Sequence, residues 1–409
     1  MTSTSLTPRR ERWLLLTLAG IQFTHILDFM IMMPLGPQFR LIFSISDAQF
    51  GLLVSAYTLS AGASGLLAST YLDRFDRKHL LLTLYTLFAA ATLACGLANS
   101  YEFLMGARVA AGVFGGVLSA LSQTIVADVV PFERRGRAMA VVMSSFSVST
   151  VAGVPLGLLV ANAVGWQATF WCIAAVSGVL AVSAVFTMPS LGAHVARGRG
   201  HSMWSGVAAV LADANHRWGF LFSLSMMSAG FMVIPYITLY MQSNAGVPAA
   251  DVPYIYLFGG LATLVSARFF GRLTDKKGKQ PTFALLAVLL CGPLLALTVL
   301  PPWPLPALIG VSTALFVVMS GRMIPGMALV SSVADPAMRG TFMALNAAAQ
   351  SAAMGLAAMA GGYLISRDAG GHIEGYWMAG LAGAVLSLLS VVVSRKLVLH
   401  TSAGVQRQP

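Results

Sequence analysis

The chain has 409 residues, 57% of them hydrophobic and 10% charged, with a mean hydropathy of +0.78. Soluble domains carry charge near a quarter of their residues, so this composition excludes a soluble protein and points to a polytopic membrane protein. The net charge of +11 would suit a nucleic-acid partner, but most of the basic residues lie in loops on one side of the spans and no such partner is needed to explain them.

Apolar segments of roughly 20 residues, each enough to cross a bilayer as a helix, recur down the whole chain. Strand-like alternation is missing, and in lipid a helix satisfies its own backbone. Twelve spans are expected, centred near Ile21, Leu59, Ala89, Gly115, Val151, Val176, Phe231, Gly260, Leu290, Leu315, Gly355 and Val385. The first is too long for a signal peptide and lacks a small-residue cleavage site, so it is expected as a retained span.

Arg9, Arg10 and Arg12 precede the first span; Arg74, Arg77 and Lys78 follow the second; Arg134, Arg135 and Arg137 follow the fourth. Arg197, Arg199 and Arg217 fall in the middle loop, Arg272, Lys276, Lys277 and Lys279 after the eighth span, Arg339 after the tenth, and Arg395, Lys396 and Arg407 at the end. The opposite loops offer Arg40 and Arg367. This positive-inside bias predicts that both termini are cytoplasmic, in a multi-pass protein of the cell (plasma or inner) membrane.

The interruption at 189–216 is expected to link two six-helix bundles, 1–188 and 217–409. Within it Met203, Trp204, Val207, Ala208 and Leu211 recur at helical spacing, which fits either a short amphipathic helix on the membrane face or a solvated connector. Cys95, Cys172 and Cys291 lie inside apolar spans without metal or disulfide spacing, so packing is their expected role.

Two charged loops repeat about two hundred residues apart. The first runs Ser69-Thr-Tyr-Leu-Asp73-Arg74-Phe-Asp76-Arg77-Lys78, the second Gly271-Arg-Leu-Thr-Asp275-Lys276-Lys-Gly278-Lys279. A second correspondence, Asp128 to Ala140 against Asp335 to Ala344, repeats Arg-Gly followed by Met-Ala at nearly the same offset. The chain therefore reads as a duplication. Gly112 and Gly116, then Gly153 and Gly157, stand four apart and allow close helix approach, while Pro155 and Pro325 invite bends.

Six helices, a linker, six helices and this loop after the second and eighth spans resemble the major facilitator superfamily. The family loop reads Gly-x-x-x-Asp-Arg-x-Gly-Arg-Lys; Asp73, Arg74, Arg77 and Lys78 match it, and Ser69 and Asp76 replace its glycines. The second copy keeps Gly271, Asp275, Lys276, Gly278 and Lys279. The resemblance implies an all-α membrane protein of two six-helix bundles related by a pseudo-two-fold axis, with the loop as a cytoplasmic gate in which Asp73 and Arg77 pair with Asp128. Arg108-Val-Ala-Ala-Gly112 is similar to a motif of proton-coupled members. Gly153-Val-Pro155-Leu-Gly157 is similar to the antiporter motif in degenerate form, and Asp28-Phe-Met-Ile-Met32 to a segment of drug and sugar efflux permeases.

Asp28 is the carboxylate set well inside a span, whereas Glu102 sits at the edge of the fourth. Asp28 and Arg108 each lie about 9 Å from the same ends of their helices, so they should be level, with Asp28 loading a proton and Arg108 tuning it. His25 and Gln22 continue a polar stripe one and two turns back, expected either to face a wet cavity or to bond neighbouring helices. The second half lacks an intramembrane acid. There Arg322, Asn346 and Gln350 are expected to line the substrate cavity or to bond between helices, and Phe231 and Tyr236 belong to a soft face with Met226, Met227, Met232 and Tyr240.

No cofactor, metal or nucleophile motif appears, which disfavours an enzyme or sensor. The first reading is a proton-coupled exporter of small amphipathic compounds, the second a symporter or facilitator for a polar or anionic metabolite. The expected partners are protons, a small-molecule substrate and the lipid bilayer, with no nucleic acid, and the chain is expected to be a monomer.

Overall fold

The computed structural model describes residues 7–71, 75–189, 203–335, 338–401 and 404–407. Among them, twelve helices are long and apolar enough to cross a membrane. In order they are Arg9–Ile31, Asp47–Ala68, Arg77–Gly96, Tyr101–Val129, Arg134–Val164 and Trp166–Thr187, then Ala214–Ser243, Val252–Lys277, Lys279–Leu297, Leu305–Val333, Arg339–Leu364 and Tyr376–Ser394. Every expected centre falls within its helix. An even number of crossings puts both ends of the chain on one side, here the terminal end; the other is the far end.

The duplication is visible in the packing. In the first bundle the first span packs on the fifth and sixth, the second on the fourth, and the third on the fourth and sixth; the seventh to twelfth repeat the same pairings in the same order. Between the bundles, the second span lies along the eleventh and the fifth along the eighth. Close approach needs small residues: a Cβ at Gly112 would collide with the Tyr57 carbonyl and the Ser60 hydroxyl.

Prolines interrupt both lead helices at matching places. The first span stops at Ile31 and resumes at Gly36–Phe43 around Pro34, and the seventh stops at Phe231 and continues through a 3-10 turn at Ile234–Tyr236 that holds Pro235. A proline removes a backbone donor from the helix, so a break there is expected. Asp28 stands six residues before Pro34, whereas Ala229 stands six before Pro235. At this place the second half thus carries an alanine where the first carries a buried acid.

The middle segment forms a helix at Met203–Ala212 that packs on the seventh and eleventh spans, with Val210 fully buried and Leu211 exposed. The remainder of the expected linker, 190–202, lies outside the described residues.

Candidate functional site

Four spans of the first bundle converge on one carboxylate. Arg108, from the fourth span, donates from Nη1 to Asp28 Oδ2 at 2.7 Å and to the Asp28 carbonyl at 3.4 Å. Thr92, from the third, donates to Asp28 Oδ1 at 3.1 Å. Tyr57, from the second, places its ring under the guanidinium at 4.5 Å, a cation–π contact. Asp28 and Arg108 are both 0% exposed. Arg108 Nε and Nη2 and the Tyr57 hydroxyl have no hydrogen-bond partner among the described residues. Thr92 and Tyr57 were not foreseen, because a hydroxyl on an apolar helix carries no sign of which neighbour it meets.

His25 is partly exposed, stacked on Phe88 and edge-on to Tyr57, both at 6.1 Å between ring centres. Of the two expectations for Gln22, a wet cavity or a neighbouring helix, the structure shows the second: it is buried and donates to Ser119 of the fourth span at 2.8 Å. Its amide is better satisfied between helices than beside lipid.

The antiporter-like stretch of the fifth span is packed against the helix that carries Asp28. A π turn at Ser149–Gly153 precedes Pro155, which opens the next helical segment, Val154–Val164. Added methyls at Gly153 and Gly157 would lie 3.0 Å from Leu27 Cδ1 and 2.9 Å from Ile31 Cδ1. The glycines flank Asp28 along the first span and admit the fifth to it.

At the centre of the molecule Phe29 stacks on Tyr57 at 5.4 Å and on Phe231 at 6.1 Å, joining the bundles across the first and seventh spans. Phe231 is the partly exposed member of its expected face; Met226, Met227, Met232, Tyr236 and Tyr240 are buried. Tyr236 is therefore no cavity residue here: its hydroxyl donates to the Ala358 carbonyl, toward the far end. Arg322 likewise takes the helix-bonding alternative and not the cavity one: it is 0% exposed and turned into its own bundle, where it donates to the Met226 carbonyl at 2.6 Å and Ser387 Oγ at 3.4 Å. Asn346 is also buried, whereas Gln350 is partly exposed and touches Met327 Sδ at 3.8 Å.

The paired loops brace each bundle from within. Arg77 meets Asp128 in an ion pair between the third and fourth spans. Asp76 caps the third span by accepting from the amides of Lys78 and His79, and Lys78 Nζ reaches the Val185 carbonyl of the sixth at 2.8 Å. In the second copy Lys279 Nζ donates to Ser332 Oγ at 2.7 Å, while Asp275 and Lys276 are exposed. The backbone amide of Asp335 donates to His216 Nε2 of the seventh span at 3.2 Å. Asp73 and Arg74 lie outside the described residues. Because a charge pair outweighs a bond to a neutral hydroxyl, Arg77→Ala is expected to cost roughly 1 kcal/mol and Lys279→Ala a few tenths, read from melting temperatures in detergent.

At the far end the bundles are tied across their interface by a contact the sequence did not announce. Arg367, on a short hairpin between the last two spans, binds Asp47 at the start of the second span through two bonds, Nε to Oδ2 at 2.7 Å and Nη2 to Oδ1 at 2.9 Å. It also donates to Ser243 Oγ and the Gly371 carbonyl. In the hairpin turn the His372 amide, donated to Asp368, holds that carboxyl below its usual range. Asn162 of the fifth span donates to the Ala249 carbonyl at 2.9 Å, a second polar tie across the same end. The available signal was that Arg367 is one of two basic residues on a side that carries Asp47, Glu102, Asp251, Asp368 and Glu374.

Comparison with known proteins agrees with this architecture. The family model described as Major Facilitator Superfamily matches residues 18–358. The chain is 28% identical over 345 residues to the MFS-type transporter YtbD of Bacillus subtilis, covering 82% of this chain and 84% of that one. It is 28% identical over 347 residues to a chloramphenicol resistance protein of Streptomyces lividans, covering 83% and 86%. Among solved structures, a D-xylose–proton symporter superposes with a TM-score of 0.79 over 96% of this chain and 98% of that one, at 14% identity, which speaks to the fold alone. With twelve apolar helices in two like bundles and the family model matching most of its length, this chain is a multi-pass membrane transporter and belongs to the major facilitator superfamily.

Proposed function

We propose that the chain exports small amphipathic compounds, such as drugs, sugars or metabolites, in exchange for protons. The observation that carries this is the wholly buried Asp28–Arg108 pair, set in an otherwise apolar bundle beside the central Phe29–Phe231 contact. A buried ion pair is often no more stabilising than the apolar residues that would fill its place, so stability alone is a poor reason to keep one. A proton added to Asp28 becomes a carboxylic O–H and cancels the negative charge. Arg108 is then a buried cation without its counter-charge, a state costing several kcal/mol unless the helices move. That cost couples proton binding to alternating access.

In this reading the halves 1–188 and 217–409 take different tasks on one scaffold. With both termini in the cytoplasm and the chain acting as a monomer in the inner membrane, the tied far end is the outer gate and this conformation faces inward. Soft aromatic and methionine side chains between the bundles (Phe29, Met30, Phe231, Met319) suit varied apolar substrates. The name of the Streptomyces relative supports resistance to a small amphipathic drug as the first property to examine. The competing metabolite reading needs Arg108 and Arg322 as binding charges, and both are sealed here.

The deciding assay is transport of chloramphenicol, and of compounds found in a resistance screen, by proteoliposomes under an imposed pH gradient. The parent is expected to move substrate against the proton gradient, and Asp28→Asn, which keeps an acceptor for Arg108 but removes the charge, to lose that dependence. Transport indifferent to the gradient and equal in both proteins would overturn the proposal.

A further inference from the structure

Asp28 is 0% exposed, so a proton bound there has to be conducted to it. One helical turn toward the terminal end stands His25, and one turn further Gln22. Each step is about 4.5 Å along the axis, within reach of a side chain and one water molecule. Gln22 is hydrogen-bonded to Ser119 of the fourth span, which is partly exposed, as is His25. Gln22 Oε1, His25 Nδ1 and the Tyr57 hydroxyl are buried atoms without a partner among the described residues, as is Ser122 Oγ one turn beyond Ser119. Buried polar atoms are as a rule satisfied, and unsatisfied ones at successive turns of the first span and on the facing second and fourth spans are the partners that bound water requires.

We propose that Ser119, Gln22 and His25, joined by bound water, form a proton conductor between the terminal end and Asp28. This rests on Asp28 being the proton carrier proposed above. The far end is tied by Arg367 and Asp47, and His25, Gln22 and Ser119 all lie on the terminal side of Asp28, so the conductor runs to the terminal end. His25 accepts a proton on one ring nitrogen and releases another from the second, and the last transfer turns the Asp28 carboxylate into a carboxylic acid. Charge and atoms balance with no co-reactant, since one proton enters at Ser119 for each that reaches Asp28. Gln22 and Ser119 hold the water in line and do not themselves change charge. The charged and titratable groups facing His25 are Arg108 on the fourth span and Tyr57 on the second, with Asp28 one turn away on its own helix and Cys95 of the third span beside Arg108; the fifth span brings the Ser149 hydroxyl to the first-span backbone.

The test compares parent, Gln22→Leu, His25→Phe, His25→Gln and Asp28→Asn in proteoliposomes. It measures proton-driven exchange of chloramphenicol, its rate in heavy against light water, and counterflow without a gradient. Gln22→Leu and His25→Phe are expected to slow driven exchange about tenfold and change its solvent isotope effect, with counterflow and melting temperature kept; His25→Gln, which retains hydrogen bonding, should recover part of the rate. Should Gln22→Leu not fold, Ser119→Ala, which removes the hydroxyl that holds Gln22, carries the same test. Parent-like driven rates and isotope effects in these variants, with Asp28→Asn inactive, overturn the conductor while leaving the carrier. Driven exchange that survives Asp28→Asn overturns both.

Discussion

Arg108→Met is expected to lower stability by about 3–5 kcal/mol, because it strands the Asp28 carboxylate in a bundle where it is 0% exposed. Against a total of roughly 5–15 kcal/mol this should appear as a large drop in melting temperature and in the yield of monodisperse protein. Thr92 still donates to one carboxylate oxygen, but a single hydroxyl does not replace a guanidinium. The double variant Asp28→Leu with Arg108→Met removes both charges and is expected to regain most of the lost stability while showing no proton-driven transport. A stable single variant would mean that the site is wetter than its burial indicates. A double variant that still couples transport to protons would remove Asp28 from the mechanism.

Arg367→Ala is expected to shift the conformational balance by about 2 kcal/mol, roughly 30-fold, toward a state open at the far end. The contact is a two-bond, charge-assisted pair with Arg367 12% and Asp47 6% exposed, so solvent screens it far less than a surface bridge. Arg40 Nε, 3.9 Å from Asp47, prevents the acid from being wholly unpaired in the variant, which limits the general loss of stability. Distances between spin labels on the start of the second span and on the hairpin should lengthen and broaden, and the charge exchange Asp47→Arg with Arg367→Asp should restore the short distance. An unchanged distance distribution would show that apolar packing around Tyr236, Gly51 and Ala358 closes this end without the ion pair.

The two latch systems differ in what they join. Arg77 with Asp128, and Lys279 with Ser332, connect neighbours inside one bundle and fix its shape. Arg367 with Asp47 connects one bundle to the other, so it has to break whenever they rock apart at the far end. Under the proposed mechanism the repeated loops would stiffen the moving parts, whereas the far-end pair would set which side is closed.

The number and position of the spans were determined by the sequence itself, because a bilayer filters segments by length and hydropathy and each helix satisfies its own backbone without help from neighbours. Duplication was equally legible in the charged loops, since polar residues at a membrane surface are few and keep their spacing. That Asp28 and Arg108 meet was readable from helix depth, as two charges at one level in an apolar medium have few other partners. Only the tertiary structure decided which face each lone polar residue turns to. It put Gln22 on Ser119, folded Arg322 into its own bundle, gave Lys279 a serine in place of an acid, and brought Asp47 and Arg367 together across 320 positions of sequence. Rotation about a helix axis and pairing between bundles are set by packing against neighbours, and no local pattern in a uniformly apolar helix records them.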